Sequence, residues 1–170
     1  ISPEALINGQ LALNEMSDRL SAEVLSTHDH LTGLLNREGL KKFSSKSLFA
    51  YANRHDKEIG VFFFDLNKFK PINDNLGHEA GDMALKAISK RLTSHVRRED
   101  VVARWGGDEF IVLMLGEKGQ DWAPIYDELK GTIFNEPVAI NGDLHEIGAS
   151  IGFVKTKRGE LPEAAIARAD

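Results

Sequence analysis

Cysteine is absent from the 170-residue chain, which excludes disulfide bonds, thiolate metal sites and cysteine nucleophiles. Long apolar runs are absent too, since the longest, residues 61–64 and 110–115, fall far short of the roughly 20 residues of a membrane-spanning helix. Basic residues are outnumbered, with 21 Lys and Arg against 26 Asp and Glu, so binding to DNA or RNA backbones is disfavoured. Neither the P-loop nor the Rossmann glycine pattern occurs, which excludes those two nucleotide sites.

The residues that are present have the composition of one folded domain, with 42% hydrophobic residues and 15 glycines. Apolar periodicity and turn signals predict helices over residues 2–26, 37–54, 78–97, 121–134 and 161–170, and strands over 59–66, 101–105, 110–115, 138–140 and 144–154. Glycine reaches positive φ at little cost, so Gly106-Gly107 predicts a two-residue hairpin turn, and Asn141-Gly142 predicts a type I′ hairpin. Without a regular βα repeat, the prediction is an α+β fold with a mainly antiparallel central sheet flanked by helices.

The N-terminal helix carries an apolar series close to a heptad repeat. The series consists of Leu6, Leu13, Met16, Leu20 and Val24. It spans about three heptads, so a coiled coil and a helix packed against the domain are both open interpretations.

Three carboxylates are candidates for one edge of the sheet. Asp65 ends the predicted central strand, and Asp108 and Glu109 follow the glycine pair. If the strand and the hairpin are neighbours, these like charges repel unless a cation lies between them, and a hard ion such as Mg²⁺ suits such ligands. The alternative is that Asp65 simply ends a strand and the other two decorate an exposed turn.

The segment that follows the central strand, residues 65–82, is dense in polar groups and is typical of a binding loop. Asn73 and Asp82 offer an amide and a carboxylate that can pair with the edge of guanine, and Lys70 offers a charge for phosphate. The alternative for residues 73–75 is ordinary turn and helix-capping chemistry.

Four motifs occur in order along the chain. They are Asp-His-Leu-Thr-Gly-Leu-Leu-Asn-Arg at 29–37, Phe-Asp-Leu-Asn at 64–67 continuing to Gly-Asp at 81–82, Arg-Trp-Gly-Gly-Asp-Glu-Phe at 104–110, and Ser-Ile-Gly at 150–152. Together they resemble the GGDEF family, the diguanylate cyclases that join two GTP molecules into cyclic di-GMP. The resemblance covers residues 29–170 and implies the α+β palm fold of nucleotide cyclases and polymerases.

The resemblance also implies a role for each motif residue. Mg²⁺, with Mn²⁺ as an alternative, would be held by Asp65, the carbonyl of Leu66 and Asp108. Asp108 would also serve as base for the ribose 3′-hydroxyl, with Glu109 supporting the site. The remaining implied roles are guanine recognition by Asn73 and Asp82, phosphate stabilisation by Lys70, and close approach of the triphosphate at Gly106 and Gly107. Asn67 stands where the family has a second acidic residue.

Arg97 and Asp100 form an Arg-x-x-Asp sequence that is separated from Gly106 by the five residues 101–105, a spacing that resembles the family's inhibitory product site. Arg97 can make a forked contact with phosphate or guanine, and Asp100 can accept from guanine N–H groups. The alternative is a solvated helix C-terminus whose basic residues complement the helix dipole.

The whole chain is therefore predicted to comprise a linker helix, residues 1–27, and a GGDEF catalytic domain, residues 28–170. Its partners are expected to be GTP, cyclic di-GMP, a second copy in a homodimer and an upstream sensor. The chain begins with Ile and stops where the family continues into a helix with a phosphate-binding Lys and Arg, so we expect a piece of a longer protein. We expect a cytoplasmic location, with no membrane contact by these residues and any anchor upstream. The alternative function is a catalytically idle domain that serves as a cyclic di-GMP receptor or dimerisation module.

Overall fold

The computed structural model describes residues 2–170, except for the side chains of Ser45 and Lys46. Ile1, the first residue of the predicted linker helix, lies outside the described residues. The fold is a four-stranded antiparallel sheet in the order β2-β3-β1-β6, with a separate β4-β5 hairpin. The strands are β1 (Lys57–Leu66), β2 (Val101–Arg104), β3 (Glu109–Glu117), β4 (Val138–Ile140), β5 (Asp143–His145) and β6 (Ala149–Lys155).

Helices cover both faces of the sheet, as the predicted α+β architecture requires. They are α1 (Pro3–Thr27), α2 (Arg37–Phe43), α3 (Phe49–Arg54), α4 (Phe69–Leu76), α5 (His78–Ser94), α6 (Ala123–Glu128) and α7 (Pro162–Ala169), with π-helical turns at Ser44–Leu48 and Leu129–Phe134. The continuous apolar run of β1 explains the two layers. Phe62 and Phe64 pack with α5 on one face, whereas Val61 and Phe63 pack with α2, α3 and α7 on the other.

Two predicted boundaries differ from the structure. The helix predicted over 78–97 ends at Ser94 because the Asp100 carboxylate accepts the backbone N–H of Arg97 at 2.8 Å and closes a turn. The strand predicted over 144–154 is two strands, β5 and β6, because the chain between them places Ile147 in the core. The type I′ turn is confirmed, since φ is +52° at Asn141 and +86° at Gly142.

Helix α1 begins as predicted, with the Ser2 hydroxyl accepting the N–H of Ala5 and proline at the first turn. Among the described residues of α1, Thr27 alone is buried. Leu6, Leu13 and Leu20 are 61%, 57% and 57% exposed, so the interpretation of a helix packed against its own domain is wrong for most of its length. No helix within residues 2–170 has the length and apolar character needed to cross a membrane.

Candidate active site

The three predicted carboxylates lie at one edge of the sheet. Antiparallel pairing of β1 with β3 places Asp65 directly opposite Glu109. One residue further along, the backbone N–H of Leu66 donates to the carbonyl of Asp108 at 3.0 Å. Asp65 is exposed at the strand end, and Asp108 and Glu109 are half-buried. The prediction of a shared edge is therefore confirmed.

Negative charge is concentrated at this edge. Partial desolvation of its carboxyl group raises the pKa of Asp65, although the residue is exposed, and the charges of Asp108 and Asp170 raise this pKa further. Burial and the same negative neighbours, together with Asp65, raise the pKa of Glu109, which Arg37 only partly offsets. Asp170 follows α7, whose last residue lies against Gly152 of β6, and this fourth carboxylate was missed by the sequence analysis. A bound cation would relieve the repulsion at this edge.

The chemistry of the donors fits Mg²⁺ better than a softer ion. In the part of the chain that the structure describes, no group of three or more His, Asp or Glu side chains is arranged to hold a metal. Mg²⁺ nevertheless binds through one or two carboxylates and completes its octahedron with substrate phosphates and water. Asp65 and Asp108 offer that kind of incomplete set, since Asp65 precedes Leu66 and the Leu66 N–H bonds to the Asp108 carbonyl.

The glycine turn, residues 105–108, differs from its predicted form. Neither Gly106 nor Gly107 has a positive φ, so the predicted two-residue turn based on positive φ is wrong. The N–H groups of Trp105 and Gly106 both donate to the Glu109 carbonyl, at 2.8 and 3.4 Å, and close a wider loop. A Cβ at position 106 would collide with the Glu109 carboxylate, so any other residue there would force that side chain to move. At Gly107 a Cβ would meet open space, so this face of the turn is free for a ligand.

Two basic side chains hold the glycine turn from the outside. The Arg37 guanidinium stacks over the Trp105 ring at 4.3 Å and borders an open recess of about 510 Å³ that Gly106 and Gly107 also line. Arg104 donates to the carbonyl of Gly107 and forms an ion pair with Asp29. Arg37 and Arg104 each lie within one of the four motifs, and no role was predicted for either. The signal in the sequence was their position, since Arg37 ends the motif at 29–37 and Arg104 begins the motif at 104–110.

The predicted guanine residues lie on two consecutive helices. Asn73 is in the second turn of α4 and Asp82 follows Gly81 in the first turns of α5, with Gly77 at φ +90° joining the helices. Asn73 lies within a helix, so its interpretation as a turn or cap residue is wrong. Its carboxamide packs on Gly81, where any Cβ would collide with it. This close contact places the Asn73 amide against the residue that precedes Asp82.

The last two polar residues of the binding segment have separate surroundings. Lys70 is exposed on the first turn of α4, directly after Lys68 turns the chain with φ +61°. The side-chain oxygen of Asn67 accepts from the Ser150 hydroxyl at 3.3 Å, and its backbone N–H donates to Gly148 at 2.7 Å. Asn67 therefore ties the end of β1 to β6.

Arg97 and Asp100 lie together at the start of β2, at the end opposite to the glycine turn. The Asp100 side chain is 1% exposed and accepts the Arg97 backbone N–H, whereas the Arg97 side chain is 60% exposed. The Arg97 guanidinium reaches the Asp100 carboxylate at 3.4 Å and also donates to the carbonyl of Leu115. The pair is thus a built corner rather than a loose helix end, with Arg97 accessible to a ligand.

Comparisons with known proteins agree with this geometry. Residues 26–170 match the family described as diguanylate cyclase, GGDEF domain. The chain belongs to the GGDEF family. The diguanylate cyclase DgcP of Escherichia coli is 35% identical over 155 residues, covering 91% of this chain and 44% of that protein. The chain thus spans less than half the length of this GGDEF relative.

Two solved GGDEF structures are similar to this one. The coiled coil and GGDEF domain of DgcB from Caulobacter crescentus, in complex with c-di-GMP, has a TM-score of 0.83 at 24% identity, which shows a shared fold. That match covers 98% of this chain and 88% of the chain in that structure. A sensory box/GGDEF family protein from the same organism has a TM-score of 0.73 at 33% identity, covering 84% of this chain and 92% of its own. Both support the predicted GGDEF fold.

Proposed function

We propose that this GGDEF domain is a diguanylate cyclase, which condenses two GTP molecules into cyclic di-GMP and releases two pyrophosphates. The observation that carries the proposal is the juxtaposition of Asp65 and Asp108 at one sheet edge beside a glycine turn. Relatives named diguanylate cyclases support it. A site of concentrated carboxylates next to open backbone is suited to a metal-bound triphosphate.

The proposed chemistry is phosphoryl transfer. The 3′-oxygen of one GTP attacks the α-phosphorus of the other, a P–O bond forms, and the bond from the α-phosphorus to the bridging oxygen breaks. Pyrophosphate leaves with that electron pair, and Asp108 accepts the proton of the 3′-hydroxyl. The same step repeated with the nucleotides exchanged closes the ring.

Asp65, the Leu66 carbonyl and Asp108 are the residues that would hold Mg²⁺, or Mn²⁺ in its place. When bound, the ion neutralises phosphate charge and lowers the cost of the transition state. Asn73 and Asp82 pair with guanine, and the glycine turn leaves room for the triphosphate near Gly107. Lys70, exposed on α4, stabilises charge on the phosphates in the transition state.

The reaction requires two copies of the domain, because each nucleotide attacks the other and each domain binds one. Two half-sites related by a two-fold axis satisfy that requirement. Helix α1 is the segment best suited to bring two copies together, since its leucines at 6, 13 and 20 recur every seven residues and are all exposed. We assign this seam to a parallel pairing with a second α1.

Product inhibition is part of the same proposal. Cyclic di-GMP binds at Arg97 and Asp100, where the Arg97 side chain is 60% exposed. A forked contact with phosphate or guanine requires the guanidinium to exchange its bonds to the Asp100 carboxylate and the Leu115 carbonyl. Because Asp100 already accepts the Arg97 N–H, the carboxylate is held in place before the ligand arrives. This site lies at the other end of β2 from the glycine turn, so inhibition is expected to be non-competitive with GTP.

The test is turnover by the full-length protein after bound nucleotide has been stripped. With GTP and Mg²⁺, pyrophosphate and cyclic di-GMP should both appear on chromatography. Asp108→Ala should abolish both without lowering the melting temperature, while Asp143→Ala, on the distant β4-β5 hairpin, should retain the wild-type rate. Near wild-type turnover by Asp108→Ala would refute the assignment. Cyclic di-GMP binding without turnover would indicate a receptor instead.

A further inference from the structure

We propose that Asp29 and Arg104 form a positioning pair that fixes the glycine turn in front of Asp108 and ties it to the end of helix α1. The inference rests on the proposed function, since it assigns Asp108 to the reacting centre. Neither residue is placed at the nucleotide, so both act through the turn.

Arg104 uses its guanidinium to bridge two parts of the chain. Its Nε and Nη2 donate to the carbonyl of Gly107 at 3.2 and 2.8 Å, and its Nη1 donates to both oxygens of Asp29 at 3.0 and 3.2 Å. The planar fork of arginine makes both sets of bonds at once, which the single ammonium of lysine cannot do. The pair is shielded, with the two side chains 17% and 19% exposed, so it is screened less than a surface ion pair.

The Gly107 carbonyl that accepts from Arg104 is part of the peptide bond between Gly107 and Asp108. On the other side of that residue, the Asp108 carbonyl accepts the N–H of Leu66 from β1. The backbone of Asp108 is therefore held on one side by the sheet and on the other by Arg104. Releasing Gly107 would let this peptide rotate and displace the Asp108 carboxylate from its place opposite β1.

Asp29 in turn is fixed to the chain that leaves α1. Its Oδ2 accepts from the N–H and the hydroxyl of Thr32 at 2.8 and 2.7 Å, and its own N–H donates to Leu34 at 2.7 Å. Although burial raises the pKa of Asp29, these bonds and the charge of Arg104 outweigh it and hold the pKa below its ordinary value. Asp29 lies two residues after Thr27, where α1 ends. The ion pair of Asp29 with Arg104 therefore links that end to the glycine turn, beside the contact of Arg37 with Trp105.

The first test compares two arginines that both hold main-chain carbonyls. Arg104→Lys should lower kcat about tenfold or more while changing KM for GTP less than about twofold, because misplacing a reacting group affects the reaction more than binding. Arg91, which caps Ile133 and Glu136 far from the glycine turn, provides the matched control. Arg91→Lys should keep kcat within about twofold even where its melting temperature falls. An Arg104→Lys enzyme with wild-type kcat would overturn the inference.

The second test asks whether the two residues act as a unit. Asp29→Ala, Arg104→Ala and the double variant should show nearly equal losses in kcat, because each single change already breaks the bridge. Losses that multiply in the double variant would refute the pair.

Amide hydrogen exchange separates this inference from the proposed function. Exchange at residues 104–110 should accelerate about tenfold or more in Arg104→Lys and remain unchanged in Arg91→Lys, whether or not GTP is turned over. Unchanged exchange in Arg104→Lys would overturn the positioning role even if the enzyme is active. Absence of turnover in the wild type, with accelerated exchange in the variant, would refute the proposed function alone.

Discussion

Replacing Gly81 with alanine provides a test of guanine recognition that leaves every proposed binding residue in the sequence. A Cβ at position 81 would collide with the side-chain oxygen of Asn73 and lie 2.8 Å from its Cγ. Asn73 is half-buried, so its carboxamide can rotate away from the new methyl group toward solvent. Gly81→Ala should therefore displace the Asn73 carboxamide from its place against residue 81.

The magnitude follows from the contact that is lost. A hydrogen-bonded pairing with a base is worth about 1–3 kcal/mol, so kcat/KM for GTP should fall by a factor of about 5–150. The free energy of unfolding should change little, because alanine is the better helix former by up to about 1 kcal/mol and offsets the repacking of Asn73. Substrate recognition and stability are thus expected to separate in this variant.

The assay is steady-state turnover of GTP combined with thermal unfolding. Asn73→Ala should reproduce the loss, and Gly81→Ala in that background should add nothing, since the methyl group then fills vacated space. Gly131→Ala is the matched control, because a Cβ there meets no atom within 4 Å. Wild-type kcat/KM in Gly81→Ala, or losses that multiply with those of Asn73→Ala, would refute the reasoning.

Three further outcomes are expected. In the absence of divalent cations, Asp65 and Glu109 have raised pKa values in the folded state, so they stabilise the fold at pH values below their ordinary pKa values of 3.8 and 4.5. This contribution to the free energy of unfolding is lost as the pH rises through the raised pKa values. Urea unfolding at several pH values should show that the free energy of unfolding falls less steeply with rising pH in Asp65→Asn than in the wild type. An equal dependence on pH would contradict the prediction. Leu13→Lys with Leu20→Lys should lower dimer population and specific activity together, which sedimentation and turnover check. Unchanged sedimentation would show that these leucines do not pair two copies of the chain. Arg97→Ala should relieve inhibition by cyclic di-GMP at an unchanged initial rate, and inhibition that persists or becomes competitive would place the product site elsewhere.

The central strand and its carboxylates were predictable because their signals are local. A continuous apolar run such as that of β1 requires cover on both faces, which predicts a central strand with helices on either side. The exposed Asp65 at its end and the Asp108-Glu109 pair after the glycines then share an edge as soon as β1 and β3 are neighbours. Hydrophobic periodicity predicted both strands, whereas their pairing was a condition that the structure supplies.

The predictions that were wrong depend on contacts between distant residues. Asparagines at 73 and 75 are typical of turns, yet burial of Phe69 and Ile72 on one face keeps this segment helical. The shape of the glycine turn is set by Glu109 and by Arg104, which itself depends on Asp29, 75 positions away. Local propensity carries no information about such partners, so the turn geometry and the role of Arg104 emerge only in the folded chain.

Strand β2 is the element at which the two proposed controls meet. At its beginning Asp100 and Arg97 form the corner assigned to the product, and at its end Arg104 holds both Asp29 and the glycine turn. The strand is four residues long, about 13 Å, and lies at the edge of the sheet with β3 as its only partner strand among the described residues. On its outer side β2 has a single bridge to Leu35, in which the Arg104 N–H donates to the Leu35 carbonyl at 2.8 Å, so fewer hydrogen bonds hold β2 than hold β1 or β3. In the proposed function, product at one end and helix α1 at the other act on an edge strand, whereas Asp65 and Glu109 lie on the inner strands β1 and β3, which have partner strands on both sides.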